Sequence, residues 1–174
     1  MADYYVDNNS TIYASAREQI GDTQSGLPTG NAMHVSLGLS DLTDLSGQSS
    51  IYVNKITFQL TGFQPNGGTT DYMLGHFLCG IIPTDKLGTE FSDYDHFQDI
   101  KGWPLKASKK FFGNTSGHNN ASDTPQNLRT SFTYSPRSSL LINREQSIIM
   151  TVRNDYGDEL YGVMSIDLVG RRGD

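Results

Sequence analysis

Residues 51–63 alternate apolar and polar side chains with a period of two, which is the pattern of a β-strand with one buried face. The apolar side chains that share this face are Ile56, Phe58 and Leu60. Ile51 and Val53 are also apolar, but they fall out of phase with that set. One extra residue near Asn54 and Lys55 would bring both halves of the strand onto the same face, so we predict a β-bulge there.

Residues 72–82 are apolar on both faces, which favours a central strand that is covered on both sides. Gly75 and Gly80 interrupt this run, and glycine within a strand indicates that a neighbouring backbone approaches closely. We expect the strand to end at Pro83, because proline has no backbone N–H to donate.

Six further segments have strand patterns, and turn-forming residues separate them. Residues 147–154 and 160–170 flank an Asp-Tyr-Gly-Asp turn, so we expect these two strands to pair as a C-terminal hairpin. The shorter candidates are residues 33–39, 105–112, 128–134 and 140–142. Together the patterns predict an all-β fold, an antiparallel β-sandwich of about eight strands of the jelly-roll type. We expect much of its core to consist of Ile56, Phe58, Leu60, Leu74, Leu78, Ile82, Ile149, Val152, Ile166 and Leu168.

The length of 174 residues suits a single domain. Residues 1–30 are polar, and we interpret them as an extended N-terminal arm ahead of a jelly-roll domain at residues 31–174. The connections at residues 85–102 and 113–127 are longer than loops that simply join strands, which indicates that they form contacts of their own.

Charge and composition exclude several classes of function. The net charge is −6, and residues 1–50 contain one cation, Arg17, against six carboxylates. This balance argues against a generic nucleic-acid binder and against a basic arm that packages a genome. Cys79 is the only cysteine, which excludes an intrachain disulfide framework and a CxxC site. No apolar run is long enough for a membrane-spanning helix, so we expect no contact with a membrane.

No catalytic or metal-binding constellation stands out in the sequence. We interpret His76, in the most apolar strand, as a core residue whose hydrogen bonds are satisfied. Cys79 falls on the opposite face of that strand, which disfavours a Cys–His nucleophile pair. We interpret Asp93, Asp95 and Asp99 as a solvated loop, with a calcium site between subunits as the alternative. We therefore expect no enzyme activity, no bound metal and no cofactor.

The stretch at residues 101–112 combines lysines with aromatic side chains. Lysine neutralises phosphate and aromatic rings stack on exposed bases, so this stretch could contact single-stranded nucleic acid. The candidate residues are Lys101, Lys106, Lys109 and Lys110. In the alternative interpretation, Trp103 and the neighbouring phenylalanines anchor a strand in the core, and the lysines are solvated around them.

The chain from Phe132 onward resembles the closing strands of single jelly-roll capsid proteins of small viruses. The likeness consists of a strand that ends in Thr-Val-Arg-Asn at residue 154, an acidic turn that contains glycine, and a last strand with a basic tail at Arg171 and Arg172. The chain departs from many such proteins because it lacks an arm rich in Arg and Lys, which argues against direct condensation of a genome.

This resemblance implies a viral structural protein that self-assembles into the capsid shell of a virion. Its main partner would be further copies of itself, reached by the N-terminal arm and the long loops, and viral nucleic acid would lie against the four lysines. A carbohydrate-binding β-sandwich is the first alternative, and it needs an exposed ring such as Trp103 or Tyr94 beside the carboxylates of residues 93–99. A cupin-like enzyme is the second, and it needs clustered histidine ligands.

Overall fold

The computed structural model describes residues 2–6, 11–22, 24–38, 50–65, 73–86, 97, 101, 103–112, 126–138, 140–156 and 158–172. Within these ranges the chain forms ten strands and a short 3-10 turn at Thr84–Lys86. The strands are β1 (Ala2–Val6), β2 (Thr11–Ile20), β3 (Ala32–Gly38), β4 (Ser50–Gln64), β5 (Met73–Pro83), β6 (Leu105–Phe112), β7 (Gln126–Tyr134), β8 (Leu140–Asn143), β9 (Gln146–Asn154) and β10 (Tyr161–Arg172). The eight segments predicted from the sequence correspond to β3 through β10.

The strands form two antiparallel sheets. The six-stranded sheet has the order β1-β2-β10-β4-β7, with β8 also paired to β4, and the four-stranded sheet has the order β3-β9-β5-β6. The strands β2-β10-β4-β7 therefore face β3-β9-β5-β6, which is the strand order of a jelly roll built from two Greek keys. The fold class predicted from the sequence is confirmed.

The described part of residues 1–30 is not a free arm, which corrects the expectation from its polar composition. β2 lies inside the six-stranded sheet and pairs with β10 along its length. Its inward side chains Ile12, Ala14 and Ala16 are buried in the core between the sheets. Two of these three are alanines, so the apolar alternation is too weak to stand out in a polar segment. The domain therefore begins well before residue 31.

The predicted C-terminal hairpin is wrong, because β9 and β10 lie in different sheets. β9 pairs with β3 and β5, whereas β10 pairs with β2 and β4. The intervening turn crosses from one sheet to the other, and other segments hold it at both ends. The backbone N–H groups of Asp155 and Tyr156 donate to the Leu74 carbonyl oxygen, and Leu160 exchanges two backbone hydrogen bonds with Leu27.

β4 contains the predicted β-bulge. Lys55 pairs with Val169 and Val53 pairs with Gly170, which leaves Asn54 without an opposite residue in β10. Val53 therefore faces the same side of the sheet as the inward residues of the second half of β4, and it is buried with them in the core.

β5 is covered on both faces, as its apolar sequence predicts. Its inward side chains Phe77, Cys79 and Ile81 enter the core between the sheets. On the outward face a second set of buried residues, which we term the outer cluster, consists of Leu78, Ile82, Phe97 and Ile149, with Ala32 and Trp103 packed against it. All ten predicted core residues are buried, and three of them belong to the outer cluster rather than to the main core.

Gly80 shows why this strand contains glycine. A methyl group at its position would overlap the backbone carbonyl oxygen of Leu105 and lie 2.9 Å from the Trp103 ring. The prediction that a neighbouring backbone lies close to this glycine is thus confirmed, and the Trp103 ring of the outer cluster lies close to it as well.

Candidate functional site

The four candidate lysines do not form one basic surface. Lys106 and Lys110 project from the outer face of the four-stranded sheet, whereas Lys109 alternates to the other side of β6. The ammonium group of Lys109 donates a 3.0 Å hydrogen bond to the Ser131 carbonyl oxygen of β7, so it spans the edge of the sandwich. Lys101 is exposed ahead of β6. A pair of lysines on one face gives only a modest electrostatic attraction for a phosphate backbone.

The aromatic residues of this stretch favour the structural interpretation. Phe111 is buried in the main core, and Trp103 packs against the outer cluster with the ammonium group of Lys106 at 5.5 Å from its ring centroid. The indole Nε1 of Trp103 is buried and has no hydrogen-bond partner among the described residues. A half-buried ring with a cation beside it is a poor platform for stacking a base or a sugar.

Most of the loop that the carbohydrate-binding and calcium alternatives require lies outside the described residues. This applies to Tyr94, Asp93, Asp95 and Asp99. Phe97 alone is described between residues 87 and 100, and it is fully buried in the outer cluster. At this residue, the long connection at 85–102 makes the kind of packing contact that its length predicts.

A charged cluster that the sequence analysis did not identify lies on the outer face of the four-stranded sheet. His76 Nδ1 lies 2.6 Å from Asp155 Oδ2, and Arg153 Nε donates to Asp155 Oδ1 across 2.6 Å. His76 is thus satisfied, as expected, but it faces outward with 23% of its side chain exposed rather than lying in the core. Two of the three residues come from the Arg-Asn-Asp run that carries the capsid resemblance.

His76 and Cys79 project from opposite faces of β5, so they cannot act as a nucleophile and its base. Cys79 is fully buried in the main core, and this burial raises the pKa of its thiol to about 12. A thiol with this pKa stays protonated at neutral pH and is inert as a nucleophile.

The Asn154 carboxamide joins three segments of the chain at the end of β9. Its Nδ2 donates hydrogen bonds to the carbonyl oxygens of Leu27 and Asp158, at 2.8 and 2.9 Å. Its Oδ1 accepts a 2.9 Å hydrogen bond from Gln64 Nε2. Asn154 is fully buried, so these bonds fix the crossing between the two sheets in place of water.

His34 on β3 contacts the outer cluster, because its ring packs edge-on against Phe97 with the centroids 5.3 Å apart. Burial lowers the pKa of His34 from its ordinary value of 6.5, against a weaker opposing effect of Glu18. The unfolded chain therefore binds a proton that the folded chain excludes, and stability falls as the pH drops below about 6.5.

We expect the urea midpoint of the wild-type protein to be lower at about pH 5.5 than at about pH 7.5 because of this histidine. The decrease should be smaller in His34→Gln, which has no proton to bind in this range. Urea titrations of both proteins at the two pH values measure the difference. An equal decrease in both proteins would show that His34 titrates alike in the folded and unfolded states.

The outer faces of the two sheets differ in how they are covered. On the four-stranded sheet, Phe97 and Trp103 pack over the outward side chains of β5 and β9. On the six-stranded sheet, large outward side chains on β1, β4, β8 and β10 stay 43–59% exposed. They are partly arranged in stacked ring pairs, with centroids 4.6 and 5.4 Å apart. We term this surface the exposed face, and its members are Tyr5, Tyr13, Phe63, Leu141, Tyr161 and Val163.

A polar cleft of about 610 Å³ lies where the end of β5 meets the turn between β8 and β9. Its described lining consists of Pro83, Thr84, Asp85, Asn143, Glu145 and Gln146. Carboxylates and amides of this kind can bind a hydroxyl-rich ligand, but no aromatic ring is among the described residues of the lining.

The described residues bring no three His, Cys, Asp or Glu side chains close enough together to hold a metal ion. They also contain no helix of the length and apolarity needed to cross a membrane. The chain matches no protein-family model and no curated protein.

Proposed function

We propose that this protein is a structural subunit that self-assembles into a shell, and that the shell is the capsid of a small virus. The observation that carries the proposal is the contrast between the two outer faces of the jelly roll. Phe97 and Trp103 cover one face, whereas the other presents the rings and aliphatic side chains of the exposed face. Exposed rings and aliphatic side chains on one face, with covered ones on the other, favour the first face as the contact with another molecule.

Charge favours a second copy of the chain as the occupant of the exposed face. Among the described residues, the charged side chains on the outward side of this sheet include the cations Arg17, Lys55 and Arg129 and the carboxylate Asp167. The whole chain has a net charge of −6, so this relatively basic face is attracted to the acidic remainder of another copy. Two such faces brought together would repel each other. The charges therefore favour a head-to-tail contact, the type that generates closed rings and shells.

The edge of the same sheet offers a second means of association. β1 pairs with β2 on one side, and no described strand lies on its other side. The free backbone groups of an edge strand pair readily with another chain. Edge pairing and the exposed face lie on the same sheet, so one neighbouring subunit can use both.

The fold and the resemblance support the viral part of the proposal. Jelly rolls occur in viral capsids, in lectins and in cupins, so the fold alone does not decide between them. The Thr-Val-Arg-Asn strand and its acidic turn, which resemble capsid proteins, form the Asn154 hydrogen bonds and the Arg153–Asp155 ion pair of the sheet crossing. The part of the sequence that resembles capsid proteins thus includes the crossing between the two sheets of the jelly roll.

A charge placed on the exposed face tests this proposal. Val163→Lys should abolish assembly, because the contact would take the new ammonium group out of water at an outward position that is 43% exposed in the single subunit, and this desolvation costs more than one added cation gains from the acidic neighbour. Tyr156→Lys is the matched control, since Tyr156 is 58% exposed but lies in the turn between the sheets. Sedimentation velocity should show large, uniform particles for the wild type and the control, and small species for Val163→Lys with an unchanged unfolding midpoint. Assembly of Val163→Lys at the wild-type level would exclude the exposed face as the subunit contact.

The polar cleft favours a second candidate function, carbohydrate binding. Asp85 and Glu145 with the neighbouring amides supply acceptors and donors for sugar hydroxyl groups. This candidate predicts a glycan-array signal from isolated Val163→Lys subunits that Asp85→Asn combined with Glu145→Gln removes. Absence of any signal from the isolated subunits leaves the capsid proposal as the better account.

A further inference from the structure

A polar pocket of about 310 Å³ opens at the end of the six-stranded sheet, where β10, β4 and the β7–β8 connection meet. The polar and aromatic side chains among its described lining residues are Tyr52, Asn54, Arg137, Ser138 and Arg171. The described lining contains two arginines and no carboxylate, in a chain whose net charge is −6. The described lining of the pocket is therefore positively charged, whereas the protein as a whole is negatively charged.

The two arginines are available to an anion. Neither Arg137 nor Arg171 forms an ion pair within the described ranges of the chain, and both are exposed. The Arg171 guanidinium carbon lies 5.2 Å from the centroid of the Tyr52 ring. This cation–π contact holds the guanidinium at the pocket, and its N–H groups form no ion pair with the described residues.

The β-bulge brings a third polar group to the pocket. Asn54 has no opposite residue in β10, and the pairings of β4 with β7 and β8 also leave it out. A bulge redirects the side chain that it displaces from the ladder, and here the exposed Asn54 lines the pocket together with Ser138. The amide and the hydroxyl are neutral donors that complement the two guanidinium groups.

We propose that this pocket binds a phosphate group of a single-stranded nucleic-acid backbone. Guanidinium groups bind phosphate oxygens through paired, charge-assisted hydrogen bonds, which lysine cannot form in the same geometry. The identity of the ligand as nucleic acid rests on the proposed capsid function, whereas the affinity for phosphate rests on the pocket itself. We assign the contact with nucleic acid to this pocket rather than to the four lysines, because Lys109 lies on the opposite side of β6 from Lys106 and Lys110.

Two double variants with the same loss of charge test the proposal. Arg137→Gln with Arg171→Gln empties the pocket, and Lys106→Gln with Lys110→Gln removes two cations from the other sheet. Binding of a fluorescently labelled oligothymidine of about 20 nucleotides is measured by anisotropy over a range of salt concentrations. The measurement is made in the Val163→Lys background wherever the subunits assemble, so that single subunits are compared.

We expect the arginine variant to bind at least about 10-fold more weakly, with a salt slope that is smaller by about 1.4, which corresponds to two lost phosphate contacts. The lysine variant should stay within about twofold of the parent, because its cations lie outside the pocket. The single variant Arg137→Gln is a further test in case the loss of Arg171 perturbs the end of β10, because Arg137 is exposed in the β7–β8 connection. It should reduce the binding free energy by about half as much as the arginine double variant does. Equal weakening by both double variants, or unchanged binding by the arginine variant, overturns the proposal.

One further readout distinguishes free phosphate from a nucleic-acid backbone as the ligand. A second distinguishes failure of the phosphate-site proposal from failure of the capsid proposal. Inorganic phosphate should displace the oligonucleotide only at much higher concentration, and calorimetric binding of phosphate without any oligonucleotide binding would assign the pocket to free phosphate and overturn the proposal. If the protein forms particles but its oligonucleotide binding does not depend on the two arginines, the phosphate-site proposal is overturned and the capsid proposal stands. Pocket-dependent binding by a wild-type protein that never assembles supports the phosphate site and overturns the capsid proposal alone.

Discussion

Replacing Asn154 with leucine is expected to lower the free energy of unfolding by about 3–5 kcal/mol. The substitution keeps the number and branching of the side-chain heavy atoms and leaves no cavity, so the main cost comes from polar groups that lose their partners. The carbonyl oxygens of Leu27 and Asp158 lose their donor, and Gln64 Nε2 keeps only the Tyr156 carbonyl oxygen as its acceptor. Each buried polar group left unpaired costs about 1–3 kcal/mol.

Urea denaturation followed by the fluorescence of Trp103, the only tryptophan, measures this change. The matched control is Asn31→Leu, because Asn31 is exposed and contributes its backbone rather than its side chain to the same region. The control should change stability by less than about 0.5 kcal/mol. A cost for Asn154→Leu no greater than that of the control would show that the crossing between the sheets does not depend on this carboxamide.

Replacing Phe97 with alanine is expected to destabilise the protein by about 3–5 kcal/mol. The ring is fully buried in the outer cluster and contacts His34 as well, so its loss exposes Leu78 and Ile149 or leaves a cavity above them. Trp103 packs against the same cluster, and its emission should shift to longer wavelength even in the folded variant.

Tyr156→Ala is the control for this substitution, because it also removes an aromatic ring but one that is 58% exposed. Its cost should stay below about 1 kcal/mol. A similarly small cost for Phe97→Ala would mean that Phe97 does not seal the outer face of the four-stranded sheet. The contrast between the two faces, which carries the capsid proposal, would then lose its basis.

The strands β3 through β10 could be predicted from the sequence because large apolar side chains mark their buried faces. β2 was missed because two of the three residues that alternate into the core near its start are alanines, whose apolar signal is weak. The bulge at Asn54 was predictable, since a change of phase within one strand is a local feature of the sequence.

Pairing and side-chain clusters depend on residues that are distant in the sequence. The hairpin prediction failed because an apolar strand followed by a turn and a second strand has the same local pattern whether the turn stays within a sheet or crosses between sheets. His76 meets Asp155 across a separation of 79 residues. The pocket that holds Arg137 and Arg171 draws on three segments of the chain. Neither cluster has a local sequence pattern.

Electron microscopy of the purified wild-type protein tests the central claim most directly, because assembly into a shell is the property that separates a capsid subunit from a carbohydrate-binding sandwich. We expect closed particles of uniform diameter that disappear in Val163→Lys and persist in Tyr156→Lys. Monodisperse monomers of the wild-type protein at every salt concentration and pH tested would contradict it.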